Sequence, residues 1–93
     1  MSDVTVVDNE SKSRFEVFSD GELAGFSVYS LEGDVITFIH TETFDAYAGQ
    51  GLAGKLVSGA LEQTRAASRR VVAQCPYVAS YIGKHPEFAD LLV

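Results

Sequence analysis

Val35-Ile36-Thr37-Phe38-Ile39-His40-Thr41 and Val71-Val72-Ala73-Gln74-Cys75 decide the fold, because of what stands between them. Both runs are rich in β-branched and apolar residues, the composition of strands, and the first is expected to be covered on both faces. Between them Leu52, Leu56, Val57, Ala60 and Leu61 recur at helical spacing, which predicts a helix over 51–68. Strand, helix and strand then form a β-α-β unit, whose two strands run parallel across a right-handed crossover. Cys75 is expected to end the second strand. Pro76 suits the first turn of another helix, where its missing N–H has no intrahelical partner to lose. Val78, Tyr81, Ile82 and His85 share one side of that helix, over 76–84, and Pro86 stops it.

Upstream, the chain reads as short strands separated by turns. Val4, Val6 and Asp8 fall on one face of a first strand, which the polar run 9–13 breaks. Arg14-Phe15-Glu16-Val17-Phe18 is a second strand, and Asp20-Gly21 is a strong hairpin signal. A third runs from Glu22 to Leu31 before the turn Glu32-Gly33-Asp34. The fold class is α+β: an antiparallel meander of short strands ending in the β-α-β unit, with a second helix toward the C-terminus. With 93 residues, the chain is expected to form a single domain over 1–93.

Apolar residues make up 46% and charged residues 22%, ordinary globular usage that argues against disorder and low complexity. A formal net charge of −6 is the wrong sign for coating phosphate backbones, so no nucleic-acid partner is expected. That charge is unevenly distributed. Residues 1–47 hold ten acids against Lys12 and Arg14, whereas residues 48–93 hold three acids against five bases. The single cysteine, Cys75, allows no internal disulfide, which points to a reducing cytoplasm. The start Met1-Ser2-Asp3-Val4 has an acid where an export signal needs basic residues, and no long apolar run follows, so neither export nor a membrane span is expected.

Chemistry concentrates at the junction Tyr47-Ala48-Gly49-Gln50-Gly51-Leu52-Ala53-Gly54-Lys55. Glycines let the chain turn tightly, and the first turn of a helix carries N–H groups with no intrahelical acceptor, a geometry that binds phosphate. The spacing fits neither the P-loop nor the full dinucleotide fingerprint. On the residues alone, a phosphate cradle and a flexible loop closed by a helix start are equally good readings. Cys75, just before a helix start, reads either as a thiol activated by the helix N-terminus or as a small packed hydrophobe. His40 lies near the end of the parallel strand and is expected to meet Cys75 across the cleft. Two histidines far apart in sequence and one cysteine do not make zinc spacing, so no metal site is expected.

Residues 48–53 resemble the Arg/Gln-x-x-Gly-x-Gly/Ala pyrophosphate-binding motif of the GNAT (Gcn5-related N-acetyltransferase) superfamily. The pieces Ile39-His40-Thr41-Glu42, Gly49-Gln50-Gly51-Leu52-Ala53 and Cys75-Pro76-Tyr77-Val78, with Tyr81 and His85-Pro86-Glu87, look like the minimal GNAT-like family of acetyltransferase-domain proteins about as long as this chain. The resemblance implies a truncated GNAT fold with two splayed parallel strands, 35–41 and 71–75, and acetyl-CoA, a coenzyme A thioester, as acyl donor. It implies that N–H groups of Gln50, Gly51, Leu52, Ala53 and Gly54, after Gly49 and with Lys55, hold the pyrophosphate. By the same likeness His40, Thr41, Glu42, Cys75, Tyr81 and Lys84 line the cofactor, although by themselves Tyr81 reads as packing and Lys84 as a solvated charge. Ala48 departs from the Arg or Gln that opens the motif and removes a phosphate contact.

The expected reaction is acetyl transfer to an amine, with Cys75 and His40 as catalytic residues. One route passes the acyl group through Cys75 with His40 as general base. The other, the superfamily's usual route, is direct attack by the amine, with His40, Glu42 or a water accepting the proton. The acidic N-terminal half suits a cationic small molecule or a protein lysine as acceptor. The alternatives are a non-catalytic CoA-binding or protein-interaction module, or a thiol redox protein.

Overall fold

The structure, a computed structural model, describes residues 3–93, so Met1 and Ser2, on which the leader reading partly turns, lie outside the described residues. Five strands form one sheet in the order β1-β2-β3-β4-β5: β1 Val4–Asn9, β2 Arg14–Ser19, β3 Glu22–Glu32, β4 Val35–Thr43 and β5 Arg70–Ala73. The first three pairings are antiparallel, and β4 pairs with β5 in parallel. Helix α1, Leu52–Ala66, supplies the crossover between β4 and β5, and α2, Pro76–Lys84, follows. The β2–β3 and β3–β4 turns rest on left-handed backbone: Asp20 and Gly21 at φ 50° and 83°, and Gly33 at 57°. Glycine takes such angles without a side-chain clash, and Asp tolerates them better than most.

Strand alternation sorts the sheet into two faces. Phe15, Val17, Tyr29, Ile36, Phe38 and Val71 point to the side where α1 lays Leu52, Leu56, Val57, Ala60 and Leu61, and Val78 and Ile82 of α2 join the same core. Full burial of such a side chain contributes about 1.5–3 kcal/mol. The Tyr29 hydroxyl donates to Asp8 Oδ1 at 2.7 Å, and burial, reinforced by that carboxylate, pushes its pKa above the ordinary tyrosine value. Arg14, Glu16, Phe18, Phe26, Val28, His40 and Glu42 share the opposite face, onto which no helix packs among the described residues. The expectation that β4 is covered on both faces is therefore wrong: one face of it is open.

Gly59 lets α1 approach β1, since a Cβ there would lie 2.7 Å from Val6. The exposed edge of β1 is blunted by Gln63, whose amide donates to the Val6 carbonyl at 2.9 Å. Two expected boundaries move. The helix ends at Ala66, because Ala67 and Ser68 form a C-terminal turn with Ser68 at φ 59°, and the last strand ends at Ala73, leaving Cys75 as the N-cap of α2. Beyond α2 a 3-10 segment, Pro86–Leu91, returns along β5. Arg65 grips Asp90 with two hydrogen bonds, of 2.8 and 3.0 Å, and Arg70 holds the Leu91 and Leu92 carbonyls. Among the described residues no helix is long and apolar enough to cross a membrane.

Candidate active site

β4 and β5 stay paired for four residues, from Val35 opposite Arg70 to Phe38 opposite Ala73, and then part. The final tie is the Cys75 N–H donating to the Phe38 carbonyl at 2.7 Å. Two local features open the gap. β4 carries one extra residue, Ile39, between the pairs Tyr29–Phe38 and Val28–His40, and a bulge of this kind bends a strand and increases its twist. On the other side Pro76, which has no N–H to give a ladder, turns the chain into α2. Beyond the unpaired Ile39, the β4 backbone from His40 to Thr43 pairs with β3 alone, past the last rung to β5.

Side chains leave this segment in two directions. Thr41 points to the core face, where its hydroxyl accepts the Cys75 thiol at 3.5 Å and meets Ser27 Oγ at 2.9 Å. Cys75 is 3% exposed and Ser27 fully buried. His40 and Glu42 point to the open face, their Nε2 and Oε1 atoms 3.0 Å apart and both side chains about half exposed. A carboxylate only accepts, so Nε2 carries the proton and Nδ1 is the basic nitrogen. The expected meeting of His40 with Cys75 is not the contact formed: adjacent positions on a strand face opposite ways, and position 41 is the one that reaches the sulfur. Phe26 backs the His40 ring at a centroid distance of 6.4 Å and also lies under the Arg14 guanidinium, 4.5 Å from its ring centre.

The glycine junction closes the cleft at the end of β4. After a 3-10 turn, Asp45–Tyr47, Gly49 and Gly51 take φ 82° and 70°, angles that glycine reaches freely, and α1 begins. Among the described residues the N–H groups of Gly51, Leu52, Ala53 and Gly54 have no acceptor, and no acidic side chain sits in the first turn of α1. Gln50 differs from the expectation, because its N–H is given to the Tyr47 carbonyl at 3.4 Å. Lys55 is exposed beside these donors and in no ion pair among the described residues, while Ala48 offers no polar side chain. The donor set suits an anion with several oxygens.

From α2, Tyr77 and Tyr81 stand over the first turn of α1: a Cβ on Gly54 would lie 3.8 Å from the Tyr77 hydroxyl and 3.9 Å from the Tyr81 ring. Burial holds the Tyr77 phenol above its ordinary pKa, so it stays protonated at neutral pH. Tyr77 entered the sequence reading only as part of a motif. The signal that finds it is its spacing of four from Tyr81, which places both on one side of α2. Lys84 follows three residues later and is exposed. Among the described residues, no three His, Cys, Asp or Glu side chains gather as a metal set would.

A family model described as GCN5-related N-acetyl-transferase matches residues 14–91. No curated protein matches the chain significantly. Among solved structures, the chain is similar to the NMR solution structure of a "GCN5-like putative N-acetyltransferase" from Staphylococcus aureus, with a TM-score of 0.72 and 20% identity. That alignment covers 100% of this chain and 91% of the other. At this identity the likeness concerns the fold, and it shows the same α+β architecture.

Proposed function

The chain belongs to the GCN5-related N-acetyl-transferase family, and from that premise we propose that it transfers an acetyl group from acetyl-CoA to an amine. The observation that carries the reading is the open edge of β4 beside the N–H groups of Gly51–Gly54, which no acceptor among the described residues claims. Those donors, with Lys55 beside them, suit the pyrophosphate of coenzyme A. The exposed edge Ile39–Thr43 suits the amide-bearing pantetheine arm, which strand-like hydrogen bonds would hold. Thr41 and Cys75 wall the cleft from the core side.

The chemistry favours direct transfer over a covalent route. His40 Nδ1 is positioned on the open face to take the proton from an attacking amine, and the Glu42 carboxylate stabilises the imidazolium that results. The amine nitrogen bonds to the acyl carbon as the carbon–sulfur bond breaks, and the pair of electrons leaves with the coenzyme A sulfur. Cys75, buried and bonded to Thr41, lines the site on this route and carries no acyl group. The acids Glu22, Glu42 and Asp45 fall near the cleft end of the sheet, which favours a cationic acceptor such as a polyamine or a protein lysine. The single thiol fits work in the cytoplasm.

A second reading, a CoA-binding module without transfer, draws support from Ala48, which gives up a phosphate contact. Two measurements separate the readings. Acetyl-CoA raises the melting temperature under either, whereas release of free coenzyme A in the presence of spermidine or a lysine peptide occurs only if the protein is an enzyme. Absence of both effects overturns the reading. Cys75→Ser retains turnover if transfer is direct and loses it if the acyl group passes through sulfur.

A further inference from the structure

We propose that the open face of the sheet docks a basic amphipathic helix of another protein, an interaction that does not depend on the acetyl-CoA reading above. Strand parity places Val7, Phe18, Phe26, Val28 and Val72 on that face, and Ile39 joins them at the bulge. Val7, Ile39 and Val72 are 47%, 40% and 39% exposed, and the other three are partly buried. Together they reach across all five strands, a continuous apolar patch of the kind that marks an interaction surface. The core side of the same strands is sealed by α1 and α2, whereas among the described residues no helix covers this side. An apolar sheet face is normally buried by a second layer.

Shape favours a helix as the missing layer. The patch is a stripe that runs obliquely from Val7 in β1 through Phe26 and Val28 in β3 to Val72 in β5, with Glu42 opposite Phe26, His40 opposite Val28 and Thr37 opposite Val72. Its ends are four strand spacings apart, roughly 19 Å. That span matches about three and a half turns of helix, whose apolar side is itself one stripe wide. A second sheet would cover the flanking His40 and Glu42 as well and desolvate them. Charge then selects the partner. Residues 3–47, which build β1 to β4 and their turns, hold ten acids against Lys12 and Arg14, and Arg14 is already paired with Glu16 at 2.8 Å. Arg70, at the β5 edge, is turned to the Leu91 and Leu92 carbonyls. Exposed acids stand at both ends of the face, Glu22 and Asp45 beside the cleft and Glu32 and Asp34 at the far turn. Lysines or arginines flanking the apolar side of a seated helix would meet them. A second copy of this chain would instead set like charges against each other, and so would an acidic partner.

The test titrates isotope-labelled protein, followed by its amide chemical shifts, with a helical peptide of about 18 leucine and lysine residues whose leucines share one side. Two controls accompany it: the same peptide with glutamate in place of lysine, and the same composition shuffled so that the leucines no longer share a side. The leucine–lysine helix is expected to bind about thirtyfold more tightly than either control, to weaken as salt rises, and to move the amides of Val7, Val28 and Val72. Val7→Arg and Val72→Arg, at opposite ends of the stripe, should each weaken it about tenfold. Both positions are exposed, so thermal melts should stay close to wild type, and either variant suffices if the other does not fold. Failure to bind overturns the proposal, as does binding that ignores peptide charge or order, leaves those amides unmoved, or survives the folded variants. Sedimentation examines the other occupant: a dimer of the chain that Val7→Arg dissociates would give the face to a second copy and overturn the proposal too. Acetyl-CoA is absent from every arm, so each outcome bears on this surface alone.

Discussion

The two halves of β4 obey the same strand period and do opposite things. Val35 to Phe38 is paired on both sides, and Ile36 and Phe38 are sealed in the core. His40 to Thr43 is paired on one side only, and the bulged Ile39, an isoleucine like Ile36, is 40% exposed. Composition does not separate the halves, since both mix β-branched and aromatic or ring-bearing residues. What separates them is the partner: β5 accompanies the first half and stops, and the one-residue bulge at Ile39 turns the second half away. One strand thus serves as scaffold and then as cleft wall, so substitutions in its two halves should fail differently.

Phe38→Ala tests the scaffold half. Removing a buried ring costs about 3–5 kcal/mol, a large fraction of the stability of a domain this small, and chemical denaturation should show most of it lost. His40→Ala, two residues further on, should leave the denaturation midpoint nearly unchanged, with an effect within about 0.5 kcal/mol. Its expected effect is on acetyl transfer, a loss of about a hundredfold or more at saturating acetyl-CoA. Comparable destabilisation by both substitutions would erase the distinction between the halves.

Gly51→Val examines the donor turn at the cleft end. At φ 70° a β-branched residue is strained by about 1–2 kcal/mol, so the melting temperature should fall, and the further rise produced by acetyl-CoA should shrink because the N–H groups are displaced. Ala48→Arg sharpens the comparison from the other side, restoring a charged phosphate contact. Coenzyme A affinity should rise about tenfold by calorimetry while the denaturation midpoint stays put. The smallest effect belongs far from the cleft. The Arg65 hydrogen bond holds the Asp90 carboxyl below the ordinary carboxylate range, so its contribution to stability is present above that range and is lost as pH falls through the lowered folded value. Both groups are exposed and screened, so Asp90→Asn should melt only slightly below wild type at neutral pH and coincide with it in strong acid.

Much of this was legible in the chain. Asp20-Gly21 and Gly33 mark the hairpins, the spacing of Leu52, Leu56 and Leu61 marks α1, and Pro76 and Pro86 bracket α2. The glycine junction stands out by its own residues, the splaying of the parallel strands follows from a family resemblance, and the chain's family and fold agree with that resemblance. Other particulars were beyond reading. Cys75 looked like the end of a strand because Val71 to Ala73 precede it, yet strand length depends on the neighbour, and the ladder with β4 ends at Ala73. The bulge at Ile39 left no mark, because an extra residue exists only relative to the partner strand. For the same reason, His40 seemed placed to meet Cys75, while Thr41 makes the contact and Ser27, an unremarkable serine of β3, backs it.

By itself the sequence determined which segments are strands and helices, and where a glycine-led helix start stands, because hydrophobic period, turn residues and helix ends act over a few neighbouring positions. Only the tertiary structure decided that one face of the sheet is open, that β4 and β5 part after Phe38, and which side chains meet across the cleft. Those outcomes depend on register between segments remote in sequence, and a shift of one residue moves a side chain from one face of a sheet to the other.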